Sequence, residues 1–505
     1  MTETCGPTDT PADIDIDALR EKYAQERAKR LRPEGADQYL ELEGEFAEFY
    51  EVDPYTPVTA RDPIVENAEV VILGGGFAGL LAGAYLKKAG VQGIRVIEMA
   101  GDFGGVWYWN RFPGIQCDND AYCYIPMLEE LGFMPSKKFA DGAEIFQHCR
   151  NMGKHFGLYD GALFSTQVRE LHWDDSAKRW RIGTDRGDEI AARFVVMAQG
   201  SYNRPKLPGI PGIKEFRAAG GHVFHSARWD YDYTGGDADG GLEKLADKRV
   251  ALVGTGATGI QLVPHLGRDA KELFVFQRTP SSVDERANTP TDPDWAAALQ
   301  PGWQEERKRN FHNWSPFVGV VFGEPDLVCD FWTELGRNLT ARIAGSADPT
   351  AVTIEQIMAF REEEDYKIME RLRRRIEAIV DDPSEAAALT VRQNLAFPLK
   401  NRGEDPNYIA ERVQQIGQMI DMEATLDRKP GPVSQDPAGR SIFYAPVYPE
   451  GDPSIMSFPP GAPVIEPALL EDVSFDAGWA LLERFSSLVR ESGSEDEHVA
   501  ADYIA

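Results

Sequence analysis

Two hydrophobic periods alternate along this chain, and the places where they change mark its organisation. Residues 13–32, "DIDIDALREKYAQERAKRLR", carry mixed charge at helical spacing and predict a surface helix ended by Pro33. Residues 36–50 are expected to continue this helical extension, and Pro54, Pro57 and Pro63 then mark a turn-rich link. "AEVVILGGGFAGLLAGAYLKKAG" (68–90) reads as buried strand, glycine turn and helix, with "IRVIEMA" (94–100) as the next strand. Residues 170–202 alternate as antiparallel strands do and end in a continuous apolar run, Phe194 to Ala198. A second strand–turn–helix unit follows at "KRVALVGTGATGIQLVPHL" (248–266), and "ELFVFQRTP" (272–280) is its second strand. Residues 285–390 read as helical and charged, with Ile368, Leu372, Ile376 and Ile379 predicted to form one apolar stripe. From about 395 the chain is rich in Pro and Gly, before an amphipathic stretch at 479–490 and an acidic tail.

The order predicts an α/β protein with two Rossmann-type dinucleotide-binding domains, a helical insertion and an N-terminal helical extension. The boundaries read from the pattern are an extension over 1–65 and a first dinucleotide domain over 66–210. A linker spans 211–245, a second dinucleotide domain 246–395 with its helical insertion at about 285–390, and a C-terminal segment 396–505.

Composition narrows the function. The formal net charge of -29 disfavours nucleic acid and anionic membrane surfaces as partners. An anionic cofactor therefore needs local help from helix N-termini or cations. No apolar run is long enough to span a bilayer, and the N-terminus lacks a signal-peptide core. Five cysteines (Cys5, Cys117, Cys123, Cys149 and Cys329), with no C-x-x-C pair, predict no disulfide framework and a reducing, cytoplasmic setting. No metal-ligand set is read, and the oligomeric state is not legible.

The chemistry concentrates in the turns. Gly74, Gly76 and Gly79 fit G-x-G-x-x-G between a strand and a helix. The first glycine allows the tight turn, the second lets backbone approach a pyrophosphate, and the third lets helix pack on strand. Glu98, at the end of the next strand, is placed to accept hydrogen bonds from a ribose, as FAD or NAD would require. Phe77 and Ala78 in the first turn, Val106 beside Gly105 and Trp107, and Tyr124 and Val168 complete the candidates around the first nucleotide. Gly254, Gly256 and Gly259 repeat the turn, with Thr258 inside it. Here Arg278 and Thr279 stand where the first unit has its acid, so a 2′-phosphate is expected and the pair reads as FAD first, NADPH second. Between the units, "GDFGGVWYWNRFPGIQCDNDAYCY" (101–124) sets glycines among aromatics, as a loop against a flat ring requires, and Asp118 is its candidate reacting acid.

On these residues the chain resembles the Baeyer–Villiger monooxygenases. Their motif F-x-G-x-x-x-H-x-x-x-W-[PD] is matched by Gly221, His225, Trp229 and Asp230, with Phe216 standing three residues further from the glycine than the motif has it. A second motif, G-x-W-x-x-x-x-[FY]-P-G-x-x-x-D, is matched by Gly105, Trp107, Phe112, Pro113, Gly114 and Asp118. The extension before the first glycine turn resembles members that accept bulky ketones. The resemblance covers roughly residues 65–390. It implies an FAD- and NADPH-dependent enzyme that uses O2, through a flavin C4a-peroxide, to insert oxygen beside a ketone carbonyl and give an ester or lactone. It further implies an oxyanion-stabilising arginine oriented by the aspartate matching Asp118. "FPLKNRGEDP" offers Lys400 and Arg402 for that arginine, with Arg402 taken as the catalytic candidate. His225 and Trp229 are implied to couple NADPH binding to domain closure.

The chain departs from the family pattern in two places. "VVMAQGSYNRP" has Gln199 where the family has Thr, and nothing after 390 matches the late A-T-G-F strand. Two other readings therefore stand beside the active enzyme: an impaired or truncated FAD/NADP-binding relative, and an N- or S-oxygenating flavin monooxygenase.

Overall fold

A computed structural model of the chain describes residues 5–30, 38–200, 204–277, 283–315 and 320–379. Its centre is a six-stranded sheet. The strand Val65–Leu73 pairs in parallel with Ile94–Ile97 on one side and Glu189–Met197 on the other. The short strand Ala162–Leu163 extends the parallel side. Arg179–Thr184 and Val168–Asp174 continue the other edge antiparallel. Val70, Val71, Ile72 and Leu73 are buried on both faces, which explains why this strand reads as an unbroken apolar run. Helix Phe77–Lys88 packs on one face through Leu80, Ala84 and Leu86. The opposite face closes over Ile97, Ile182 and Ile190.

The second dinucleotide unit is smaller. Arg249–Val253 and Glu272–Phe276 form a two-stranded parallel sheet, backed by helix Ala257–Asp269. Its strands are only half covered, and Val253 is 52% exposed. The expected helical insertion is present as Pro293–Ala298, Trp303–Trp314, Phe331–Ala344 and Ile354–Ile379. No helix among the described residues is long and apolar enough to cross a membrane.

Four expectations need correction. Cys5 and Cys329 are joined in a disulfide, with Cα atoms 5.8 Å apart. The bond staples the N-terminal arm to the helical insertion, so the cysteine count gives no argument for a reducing setting. Residues 36–50 do not continue a helix. Tyr39–Leu40 pairs as a strand with Leu207–Pro208, and only the short turns Gly44–Phe46 and Glu48–Glu51 are helical. Phe46 and Phe49 anchor this segment in a small core with Leu42 and Leu207. The helical insertion begins at Pro293 and not near 285. The stripe on Ile354–Ile379 is rotated: Tyr366, Met369 and Leu372 are buried, whereas Ile379 is 60% exposed. The reason is electrostatic. Glu364 lies in the interface and receives Arg342 of Phe331–Ala344 (2.9 Å), so the face that carries this inter-helix ion pair is turned inward.

Candidate dinucleotide sites and the strap between them

The first glycine turn is held from three sides. Gly74 has φ +112°, and a Cβ there would lie 2.3 Å from the Ala198 carbonyl oxygen. A Cβ on Gly79 would meet the Gly74 oxygen at 1.9 Å, so helix and strand approach closely only because both residues are glycine. Gly76 forms the N-cap of Phe77–Lys88 with no side chain capping it. Phe77 and Ala78 thus begin a helix whose first amides face outward, a ready anion cradle. Glu98 is buried, and its carboxylate accepts from the amides of Gly75 (2.5 Å) and Ala100 (2.7 Å). Burial raises its pKa, and the two amides draw it back down. Glu98 therefore braces the turn from below.

The second turn has the same build. Gly254 has φ +104°, and a Cβ on Gly259 would come within 2.6 Å of the Gly254 oxygen. Gly256 is the N-cap of Ala257–Asp269, again without a side-chain cap, and Thr258 is half-buried in its first turn. Both turns therefore offer uncapped helix ends to phosphate.

Residues 105–118 form a strap from the first glycine turn to the helix that follows the second. At its start Gly105 has φ +55°, and a Cβ there would sit 2.8 Å from Gly76 Cα. At its far end Gly114 has φ +79°, and a Cβ would meet His265 Nε2 at 2.4 Å on the second helix. Between them Trp107 is buried and its indole N–H donates to the Tyr124 hydroxyl at 3.0 Å, while Val106 is exposed. The Tyr124 ring in turn faces Phe77 with centroids 5.5 Å apart. Beyond Gly114, Asp118 opens onto a cavity of about 590 Å³, which Ile115, Ala257, Ile260, Arg286 and Phe331 also line. Burial raises the Asp118 pKa, and the Arg286 guanidinium opposes that rise. Val168 lies away from this strap, in the core with Ile182 and Ile190.

The linker motif sits against the strap. The three extra residues before Gly221 are absorbed by a helical turn, Ile213–Ala218, and by Gly220 at φ +89°. This returns Phe216 onto Gly221, where a Cβ would meet the Phe216 ring at 2.2 Å. His225 Nδ1 accepts from the Ala227 amide at 3.0 Å. Burial first and Arg228 second push its pKa down to about 4, so the ring is neutral at pH 7 with its proton on Nε2. Trp229 is buried; its amide donates to the Tyr55 hydroxyl (2.9 Å), which itself donates to the Trp109 carbonyl (3.1 Å). Arg228 stacks on Trp109, 3.6 Å from the ring centroid, and burial lowers its pKa to about 10. Arg228 and Trp229 thus tie the linker to the aromatic strap while His225 caps the turn between them, and neither His225 nor Trp229 lines the cavity that Asp118 faces.

Arg278, Thr279 and Arg402 lie outside the described residues. Sequence reasoning did not find Gln116, Gln261, Arg286 or Trp332, each of which holds the Asp118 end of the strap. Arg286 donates to the Cys117 carbonyl (3.1 Å) and to Gln116 Oε1 (2.5 Å). The Trp332 indole donates to the Asp118 carbonyl at 2.7 Å.

The family model of pyridine nucleotide-disulphide oxidoreductases matches residues 68–290. Neopentalenolactone D synthase of Streptomyces avermitilis is 50% identical over 380 residues, 74% of this chain and 62% of that protein. A Baeyer–Villiger monooxygenase of Stachybotrys chlorohalonatus is 47% identical over 379 residues, 74% of this chain and 58% of its own length. Among solved structures, the polycyclic ketone monooxygenase of Thermothelomyces thermophila aligns at 37% identity and a TM-score of 0.65, covering 75% of this chain and 63% of that one. The chain thus spans about three fifths of the length of the relatives it matches. These similarities bear out the resemblance and the two-unit dinucleotide-binding fold.

Proposed function

We propose that this chain, a relative of the Baeyer–Villiger monooxygenases, binds FAD at the first glycine turn and NADPH at the second. With O2 it would insert one oxygen atom beside a ketone carbonyl, giving an ester or lactone, NADP⁺ and water. The carrying observation is the strap: one segment starts against the first glycine turn, ends against the helix behind the second, and places an acid in a cavity lined by that second helix. Glycine turns that any Cβ would obstruct, with free helix ends behind them, fit dinucleotide pyrophosphates. FAD, when bound, supplies the redox chemistry on oxygen.

The chain's own residues supply the rest. Gly74, Gly76, Phe77, Ala78 and Gly79 hold the first pyrophosphate, and Glu98 stiffens the turn and receives the ribose. Gly105, Trp107 and Tyr124 flank the first site, the two rings set edge to face, with Val168 more distant. Gly254, Gly256, Thr258 and Gly259 hold the second pyrophosphate, with Arg278 and Thr279 on the 2′-phosphate. Asp118 orients positive charge in the cavity, with Arg286 the cation beside it. Arg402 remains our candidate for the oxyanion partner.

The chain's length relative to its relatives, and the half-covered second sheet, support a second reading: a nucleotide-binding relative without turnover. One experiment separates the two. Purified chain is reconstituted with FAD, reduced with NADPH under argon, then incubated in air with cyclic ketones while product mass is followed. We expect a yellow protein, bleaching, and product heavier by one oxygen. Bleaching without product supports the second reading. Protein that takes up no FAD refutes both.

A further inference from the structure

Gln261 lies on the first turns of Ala257–Asp269, directly behind the second glycine turn. Its side chain grips the backbone of Gln116 on both sides. Gln261 Oε1 accepts the Gln116 amide at 3.0 Å, and Gln261 Nε2 donates to the Gln116 carbonyl at 3.3 Å. This is the hydrogen-bond pattern of a strand partner, delivered by one side chain. The Gln116 side chain carries the contact onward. Its Oε1 accepts from Arg286, and its Nε2 donates to Asp141 at 2.6 Å. Arg286 also holds the Cys117 carbonyl, and it is the cation that opposes the rise in the Asp118 pKa. The Gly114 joint, with His265 against it, fixes the distance between helix and strap.

We propose that Gln261 is a positioning residue that couples the two nucleotide sites, transmitting the placement of the second glycine helix through Gln116 and Arg286 to the Asp118 end of the strap. The inference rests on the FAD/NADPH reading above. The strap's other end is pinned at Gly76, inside the first glycine turn, so a shift of the second helix changes the strap at a point continuous with the first site. The links are hydrogen bonds, from Gln261 to the Gln116 backbone and from the Gln116 side chain to Arg286, together with close glycine approaches, and such bonds weaken steeply when misaligned. Coupling between two ligands through such a chain must be reciprocal.

The test measures binding, not turnover. The dissociation constant of FAD is determined with and without saturating NADP⁺, for the wild-type chain, Gln261→Ala, Gln261→Glu and Gln116→Ala. In the wild type, NADP⁺ is expected to change FAD affinity by roughly fivefold or more. In Gln261→Ala the factor is expected to fall to about one, while NADP⁺ affinity in the absence of FAD is largely kept. Gln261→Glu retains the acceptor but not the donor and is expected to fall between. Gln116→Ala keeps its backbone amide and carbonyl, so it should retain the Gln261 contact and lose coupling only through Arg286. Coupling that persists in Gln261→Ala overturns the inference, as does a variant that loses NADP⁺ affinity with the coupling factor unchanged. A wild type that binds both nucleotides without coupling also overturns it and leaves the proposed function standing. A wild type that binds neither overturns the proposed function and this inference together.

Discussion

His225 makes the stability of the linker depend on pH in a direction that can be worked out. Its folded pKa is about 4 against an ordinary 6.5. The unfolded ring therefore takes up a proton as pH falls through 6.5, while the folded ring stays neutral until about 4. The folded state keeps its full stability above 6.5 and loses it progressively between 6.5 and about 4. A tenfold difference in proton affinity is worth about 1.4 kcal/mol, so the gap amounts to ~3 kcal/mol. Water reaching the half-buried ring trims this to about 2 kcal/mol. The comparison protein is His225→Asn, whose Oδ1 can accept the Ala227 amide without titrating. Urea unfolding followed by circular dichroism is run on both proteins from pH 7.5 down to pH 4.5. The wild type is expected to lose about 2 kcal/mol relative to the variant across that range. Every other titrating group is common to both and cancels in the difference. A difference that stays flat with pH would refute the reasoning, because it would mean that the ring takes up its proton as readily folded as unfolded, and a wild type that gains stability as pH falls would mean that the folded ring is charged.

Two further outcomes follow from the site. Trp332→Phe keeps the ring but removes the donor to the Asp118 carbonyl; we expect about 1 kcal/mol lost in unfolding free energy and an altered flavin difference spectrum on NADP⁺ addition, checked by titration of the reconstituted protein. Arg278→Ala is expected to weaken NADPH far more than NADH, measured as the ratio of their dissociation constants; an equal loss for both would remove the 2′-phosphate role.

The glycine turns were legible in sequence because their geometry is unforgiving. Gly79 and Gly259 each face a carbonyl at a distance no Cβ allows, so the spacing itself encodes the contact. The strand Val65–Leu73 was equally plain, since a strand buried on both faces leaves a continuous apolar run. The far end of the strap was not legible. Gln261 and Gln116 lie 145 positions apart, and a side chain gripping backbone leaves no periodic trace in either segment. The Cys5–Cys329 bond spans 324 positions and follows no spacing rule. Phe216 showed itself only as a mismatch, because the turn that returns it to Gly221 is a property of the backbone and not of the motif. On Ile354–Ile379 the apolar stripe misled, since the ion pair from Arg342 to Glu364 outweighed it.

The strap also works as a ruler. Its two joints are glycines whose only substituent is hydrogen, Gly105 set against the Gly76 backbone and Gly114 against His265 and the Gln261 carbonyl, so there is little slack at either. An insertion or deletion between residues 105 and 114 would pull one joint out of register, however well it packed. Variation in what the cavity admits must therefore enter by exchange of side chains at constant length, at Ile115 or Phe331 beyond the ruler, and not by lengthening the loop. Change here is a matter of substitution, with the spacing between Gly105 and Gly114 the dimension that must hold.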